Sequence, residues 1–278
     1  MKKFILSLIL LTLSLPAWAG NTKESAYDRV MRTNTLRCGY FVGDPYLIKD
    51  PNTGALSGIW FDYMEAVGKA LKIKIDWAEE IGLGDFGVAL DSNRVDAMCL
   101  GIWVDPDRAK IADYITPISY HAAYVWVREN DDRFDRNFDE LNSSNTTITY
   151  LDGDIAASVA DEDFPDAKRL TLPQLSQVNQ ALENVATKKA DFTIFTPEIV
   201  EKFNKNRNNK LRKADIGYPI RTFPESIAVK RGETELVNLL NYTTNFLINN
   251  GKIDRILKKY ESSPNSFMRT SKPYELKK

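Results

Sequence analysis

Arg108 is the side chain best suited to hold a ligand. It closes the stretch Asp105-Pro106-Asp107-Arg108, which has the form of a helix N-cap with proline at the first helical position. A cation there opposes the helix dipole, so the arginine points to an anion nearby. Its planar fork fits two parallel hydrogen bonds to a carboxylate, each worth about 1.5–3 kcal/mol when charged. The plainer alternative is a surface arginine at a helix start. Tyr46, Trp60 and Trp103 follow strand-ending turns, where α/β proteins open their ligand crevices. Aromatic walls suit a planar ring or, by cation–π attraction, an alkylated ammonium. Packing in a core is the alternative for each.

Other chemistry is poorly provided for. With a single histidine, His121, and no clustered ligands, neither a metal nor a cofactor is expected. His121 has no serine or cysteine nucleophile in a recognisable motif. Cys38 and Cys99, the two cysteines, sit in apolar strand-like runs. Adjacent buried strands rarely offer disulfide geometry, so two buried thiols are favoured over a bridge.

These residues need a scaffold, and the ends of the chain say where it works. Lys2 and Lys3, an apolar run and Pro16-Ala17-Trp18-Ala19 form a signal peptide, with cleavage expected before Gly20 and the mature protein in the periplasm. The run is short for a span, which needs about 20 residues. With 37 basic and 38 acidic residues the chain lacks the basic footprint of a nucleic-acid binder.

From residue 35, short apolar runs alternate with helix-period segments, the mark of an α/β protein. Strands are expected at 36–41, 74–77 and 95–101, with helices at 60–71 and 86–92. That β-α-β-α-β order predicts a parallel sheet. Residues 124–128 form a further strand, and the charged stretch after them suggests a boundary near 128. A second pattern places strands at 147–151 and 192–195, with helices from 155, at 175–188 and at 198–204. A strand at 226–230 and helices at 235–249 and 252–260 complete the chain, with Tyr242, Phe246 and Leu247 on a core-facing side. Residues 264–278 read as a polar tail.

Three stretches in this order resemble a known family. They are Leu36-Arg37-Cys38-Gly39 through Gly58-Ile59-Trp60-Phe61-Asp62-Tyr63, Arg94-Val95-Asp96-Ala97 through Asp113-Tyr114-Ile115-Thr116-Pro117, and Gly251-Lys252-Ile253-Asp254-Arg255-Ile256. Together they are similar to the bacterial extracellular solute-binding proteins of family 3, best known as polar-amino-acid receptors of ABC importers. The resemblance implies an α/β, two-lobed periplasmic-binding-protein (Venus-flytrap) fold with two hinge strands. Lobe 1 would comprise 20–127 and 226–263, and lobe 2 would comprise 128–225, crossed by 124–128 and 226–230. His121 would then pack near the hinge. A small solute and an inner-membrane ABC permease are the implied partners of a monomer.

The resemblance also implies that Arg108 pairs with a ligand carboxylate. Where such receptors carry threonine and an acidic residue, this chain has Trp103 and Phe195; where they carry Gly-Thr, it has Gly153-Asp154. An ordinary amino acid would leave its ammonium without a charge partner unless Asp154 substitutes, and stripping water from an unpaired ammonium is expensive. Asp152 and Asp154 are equally suited to cap a helix. Two other readings stay open. One is an enzyme similar to the cyclohexadienyl dehydratases, with Asp154 or Glu198 as general acid; the other is a sensory binding protein.

Overall fold

The computed structural model describes residues 24–205, 207–208, 210–261 and 267–270. The expected signal peptide lies outside them, as does the expected tail apart from 267–270. Among the described residues no helix is long and apolar enough to cross a membrane.

The chain opens with α1 (Ala26–Thr33), capped by Ser25, and β1 (Thr35–Tyr40). The short pair β2 (Ile48–Lys49) and β3 (Leu56–Ser57) precedes α2 (Ile59–Leu71) and β4 (Lys74–Glu80). In α2 the buried side is Trp60, Tyr63, Met64 and Val67, a helical spacing in which each buried aliphatic side chain contributes about 1.5–3 kcal/mol. Then come α3 (Phe86–Asp91), β5 (Ala97–Trp103), β6 (Ala112–Tyr114) and the ten-residue β7 (Ser119–Arg128). The middle of the chain holds β8 (Thr147–Leu151), α4 (Ile155–Asp163), β9 (Lys168–Leu172), α5 (Val178–Ala186), β10 (Thr193–Phe195), α6 (Pro197–Asn204) and β11 (Leu211–Lys213). A second ten-residue strand, β12 (Arg221–Lys230), is followed by α7 (Thr234–Asn249), α8 (Lys252–Tyr260) and β13 (Met268–Arg269).

The main sheet runs β10-β7-β12-β5-β1-β4. As the order of elements predicts, β1 pairs parallel with β4 and β5. The sheet turns antiparallel where β12 lies between β5 and β7. The crossing strands are longer than their apolar halves suggest. Residues 119–123 of β7 pair with 221–225 of β12, although the sequence there is polar or contains proline. Proline favours strand edges, and Pro224 sits just before β12 gains β5 as a second neighbour at Glu225. Two apolar clusters pack against this framework. One gathers Trp60, Tyr63, Met64 and Leu240 and reaches as far as Leu182 and Phe195; the other gathers Phe134, Ile148, Phe164 and Phe192.

Three expectations are corrected. Tyr242 and Phe246 are 74% and 60% exposed, because α7 turns Leu236, Leu240, Thr243, Thr244, Leu247 and Ile248 inward. Residues 267–270 are no loose tail: Phe267 is buried and Met268 pairs with Tyr120 of β7. Cys38 and Cys99 are bonded to each other with Cα atoms 5.3 Å apart. That spacing is within disulfide range. Cys38 lies opposite Ala97 and the β1–β5 ladder ends at Gly39–Met98, so Cys99 is a diagonal neighbour beyond the last paired residues.

The bridge closes a loop of 61 residues, for which chain-entropy reasoning gives about 4 kcal/mol. Alkylation of the unreduced, denatured protein should find no free thiol. The Cys38→Ser/Cys99→Ser variant should melt at a lower temperature by a corresponding amount, measured by calorimetry.

Candidate functional site

A cavity of about 90 Å³ opens beyond the carboxyl end of β5, between it and the segment around α4 and β10. All six side chains singled out from the sequence line it: Tyr46, Trp60, Trp103, Arg108, Asp154 and Phe195. Ligand pockets for drug-sized molecules hold roughly 300–1,000 Å³. This one suits a small solute.

Arg108 begins a short 3-10 turn whose first N–H is capped by Asp105 Oδ1 at 2.7 Å. Its guanidinium spans the cavity: Nη1 donates to the Trp103 carbonyl at 3.0 Å and Nη2 to the Gly153 carbonyl at 2.8 Å. A guanidinium has about five N–H donors, so it can still receive an anion while holding both carbonyls.

Trp60 is fully buried beneath the cavity, and Phe195 is buried beside it. The Trp103 ring stacks on Phe223, with centroids 4.8 Å apart, and its Nε1 donates to Glu225 Oε1 at 2.9 Å. Asp154 both caps and lines. Its carboxylate accepts from Ala156 N at 2.9 Å at the start of α4. The protein packed around it withdraws solvent and raises its pKa, against the opposing pull of Ala156 N and Arg108.

The sequence did not single out Glu225, which is 3% exposed and lines the same cavity. It belongs to a buried polar cluster under the hinge strands. His121 Nδ1 lies 3.1 Å from Glu225 Oε1 and 3.0 Å from Tyr46 Oη, and His121 Nε2 lies 3.2 Å from Ser119 Oγ. Tyr46 Oη also contacts Thr196 Oγ1 at 2.7 Å. Burial, together with the Glu225 and Glu198 carboxylates, pushes the Tyr46 phenol well above its ordinary pKa. The one signal for Glu225 was its charge in an otherwise strand-like stretch, masked by the adjacent proline.

Backbone closes the far side. Gly153 has φ +77°, and a Cβ there would lie 2.4 Å from Gly84 N. Gly84 N in turn donates to Gln174 Oε1 at 3.0 Å. Asp44 and Lys202 form an ion pair across the same gap.

The family model of the bacterial extracellular solute-binding proteins, family 3, matches residues 36–263. The chain is similar to the probable amino-acid-binding protein YxeM of Bacillus subtilis, 24% identical over 191 residues that span 69% of each protein. It is also similar in structure to the solute receptor for L-cysteine of Neisseria gonorrhoeae, with a TM-score of 0.75, 17% identity and coverage of 88% of this chain and 99% of that one. The ancestral amino acid-binding protein AncCDT-1, a precursor of cyclohexadienyl dehydratase, gives a TM-score of 0.74 at 22% identity, covering 85% of this chain and 99% of that one. Identities this low establish a shared fold and leave the ligand to each site.

Glu198 carries an electrostatic cost beside this site. It is 4% exposed, and its Oε1 has no hydrogen-bond partner among the described residues. Burial raises its pKa above the ordinary 4.5, partly offset by its own backbone N–H and by His121. Below 4.5 both folded and unfolded chains hold the proton and no penalty arises. As pH rises from there to the raised folded value, the unfolded chain ionises first and stability falls. Glu198→Gln should therefore melt higher than the parent at pH 7, with the gap closing at pH 4. An equal gap at both pH values would contradict this origin.

Proposed function

The chain belongs to the bacterial extracellular solute-binding proteins, family 3, and from that membership we propose that it is the periplasmic receptor of an ABC-type importer, closing on a small carboxylate-bearing solute. The observation that supports this most is Arg108, which reaches carbonyls on both sides of the cavity and keeps donors for an anion. The proposed lobes are 20–127 with 226–263, and 128–225, joined through β7 and β12. Two strands without helical connections between the lobes let them swing as rigid bodies. The solute carboxylate would meet Arg108, and the aromatic walls would exclude water around it. The fit of an amino-acid-like solute draws support from the amino-acid-binding and L-cysteine-binding relatives. The closed, monomeric receptor would then dock on an inner-membrane permease.

A specific observation favours a second reading. The raised pKa of Asp154 at the cavity wall is what a general acid requires. Its engagement as the α4 cap argues for a structural role instead. Turnover of prephenate or arogenate by the purified protein is expected to be undetectable; measured conversion would move the protein to the dehydratase class.

Binding is tested by melting the protein against a panel of amino acids and small carboxylates. A ligand at about 100 times its Kd stabilises by about 2.7 kcal/mol, a shift that Arg108→Ala should remove. An unchanged affinity in that variant would take Arg108 out of the site.

A further inference from the structure

Tyr242 and Phe246 stand one turn apart on the outer face of α7, two large aromatic side chains held out of the core. They form one wall of a groove of about 1190 Å³ between α7, α2 and α8. Ala66 and Ala70 of α2 line it one turn apart, where their small side chains leave room, together with Leu239 and Ile256. None of its lining residues lines the solute cavity. The rim is charged and out of balance. Lys259 of α8 reaches Asp62 of α2 at 2.7 Å, and the two neutralise each other. Lys69, Lys252 and Arg255 make no ion pair among the described residues, and Glu65 is the one other acid among the described lining residues. The groove is therefore locally cationic on a chain with slightly more acidic than basic residues.

We propose that this groove docks an amphipathic helix of another protein, its apolar stripe laid against Tyr242 and Phe246 and its flanks acidic. Apolar grooves between helices receive such segments through anchors at i, i+3, i+4 and i+7. Exposed aromatic side chains gathered in one patch mark an interaction surface, and aromatic anchors carry a large share of the binding energy at interfaces. Charge selects the occupant. Acidic flanks would meet Lys69, Lys252 and Arg255, steering the encounter and fixing its orientation. The same cations argue against a second copy of this chain. A two-fold contact sets one patch against itself and would bring like charges together. Shape argues against a lipid surface, because a bilayer takes up a protruding apolar face, whereas here Ala66 and Ala70 line a recess. The three helices pack on one another, so the groove does not depend on what fills the cavity.

The test is fluorescence anisotropy of labelled synthetic helices titrated with the full mature protein. Three peptides share an alanine framework: one with leucine at i, i+3, i+4 and i+7 and glutamate on the flanks, one with lysine for glutamate, and one with serine for leucine. The parent protein should bind the acidic leucine peptide about ten- to a hundredfold more tightly than the lysine form, the range of one charge-assisted hydrogen bond. The serine form should not bind. Tyr242→Ala and Phe246→Ala should each weaken the acidic peptide about tenfold or more. Lys69→Glu combined with Arg255→Glu should transfer the preference to the lysine form. Equal binding of the two charge forms would overturn the proposal, as would no binding of the acidic peptide or binding unchanged by loss of both aromatics. Retention on phosphatidylglycerol vesicles without peptide binding would assign the groove to lipid and overturn it. Self-association that disappears in Phe246→Ala would assign it to a second copy, with the same result. No solute is needed, so the outcome stands apart from the receptor reading. Charge selectivity is read on the parent alone, so a variant that fails to fold leaves the test decisive.

Discussion

The antiparallel ladder of β7 and β12, from Arg221 against Ala123 to Glu225 against Ser119, is the interaction on which the rest of the site depends. Both strands extend past it in opposite directions, β7 to pair with β10 and β12 to pair with β5. The cavity walls inherit their positions from this register. Glu225 lies opposite Trp103, and Phe195 lies opposite Tyr124. A slip of one residue would turn every one of these side chains to the other face. The buried cores on either side make such a slip prohibitively expensive. Placement of the site is therefore a matter of backbone pairing before it is one of side-chain packing.

Burying so much polar chemistry at a hinge has an electrostatic cost. Asp154, Glu198 and Tyr46 all have their pKa values displaced upward by burial, so each charged form is disfavoured where it stands. Arg108 and His121 are the cationic or cationisable groups within reach of this acidic cluster. Sites of this sort are retained at the expense of stability, and perturbed groups gather at functional positions more often than elsewhere. The disulfide offsets part of that cost from Cys99, within β5 and just before the cavity-lining residues, where it joins β5 to β1.

Much of this was legible in the sequence. The α/β alternation, the parallel half of the sheet and the long helices followed from apolar periodicity, and the six cavity residues followed from strand ends and a family pattern. What escaped has common physical causes. Residues 119–123 and 221–225 lack apolar alternation because they face a polar cluster on one side, so strands were seen only in their apolar halves. Glu225 was hidden with them. Tyr242 and Phe246 carried core chemistry onto an exposed face, where composition alone cannot distinguish inside from outside. The Cys38–Cys99 bridge depends on a diagonal offset between strands, and offsets are set by tertiary pairing.

Gly84 and Gly153 meet main chain to main chain. Side chains can change rotamer to admit a closer approach, but peptide groups in contact cannot. A Cβ on Gly153 would have to push the two backbones apart, so this glycine sets how closely the turn after β8 can lie against the loop after β4.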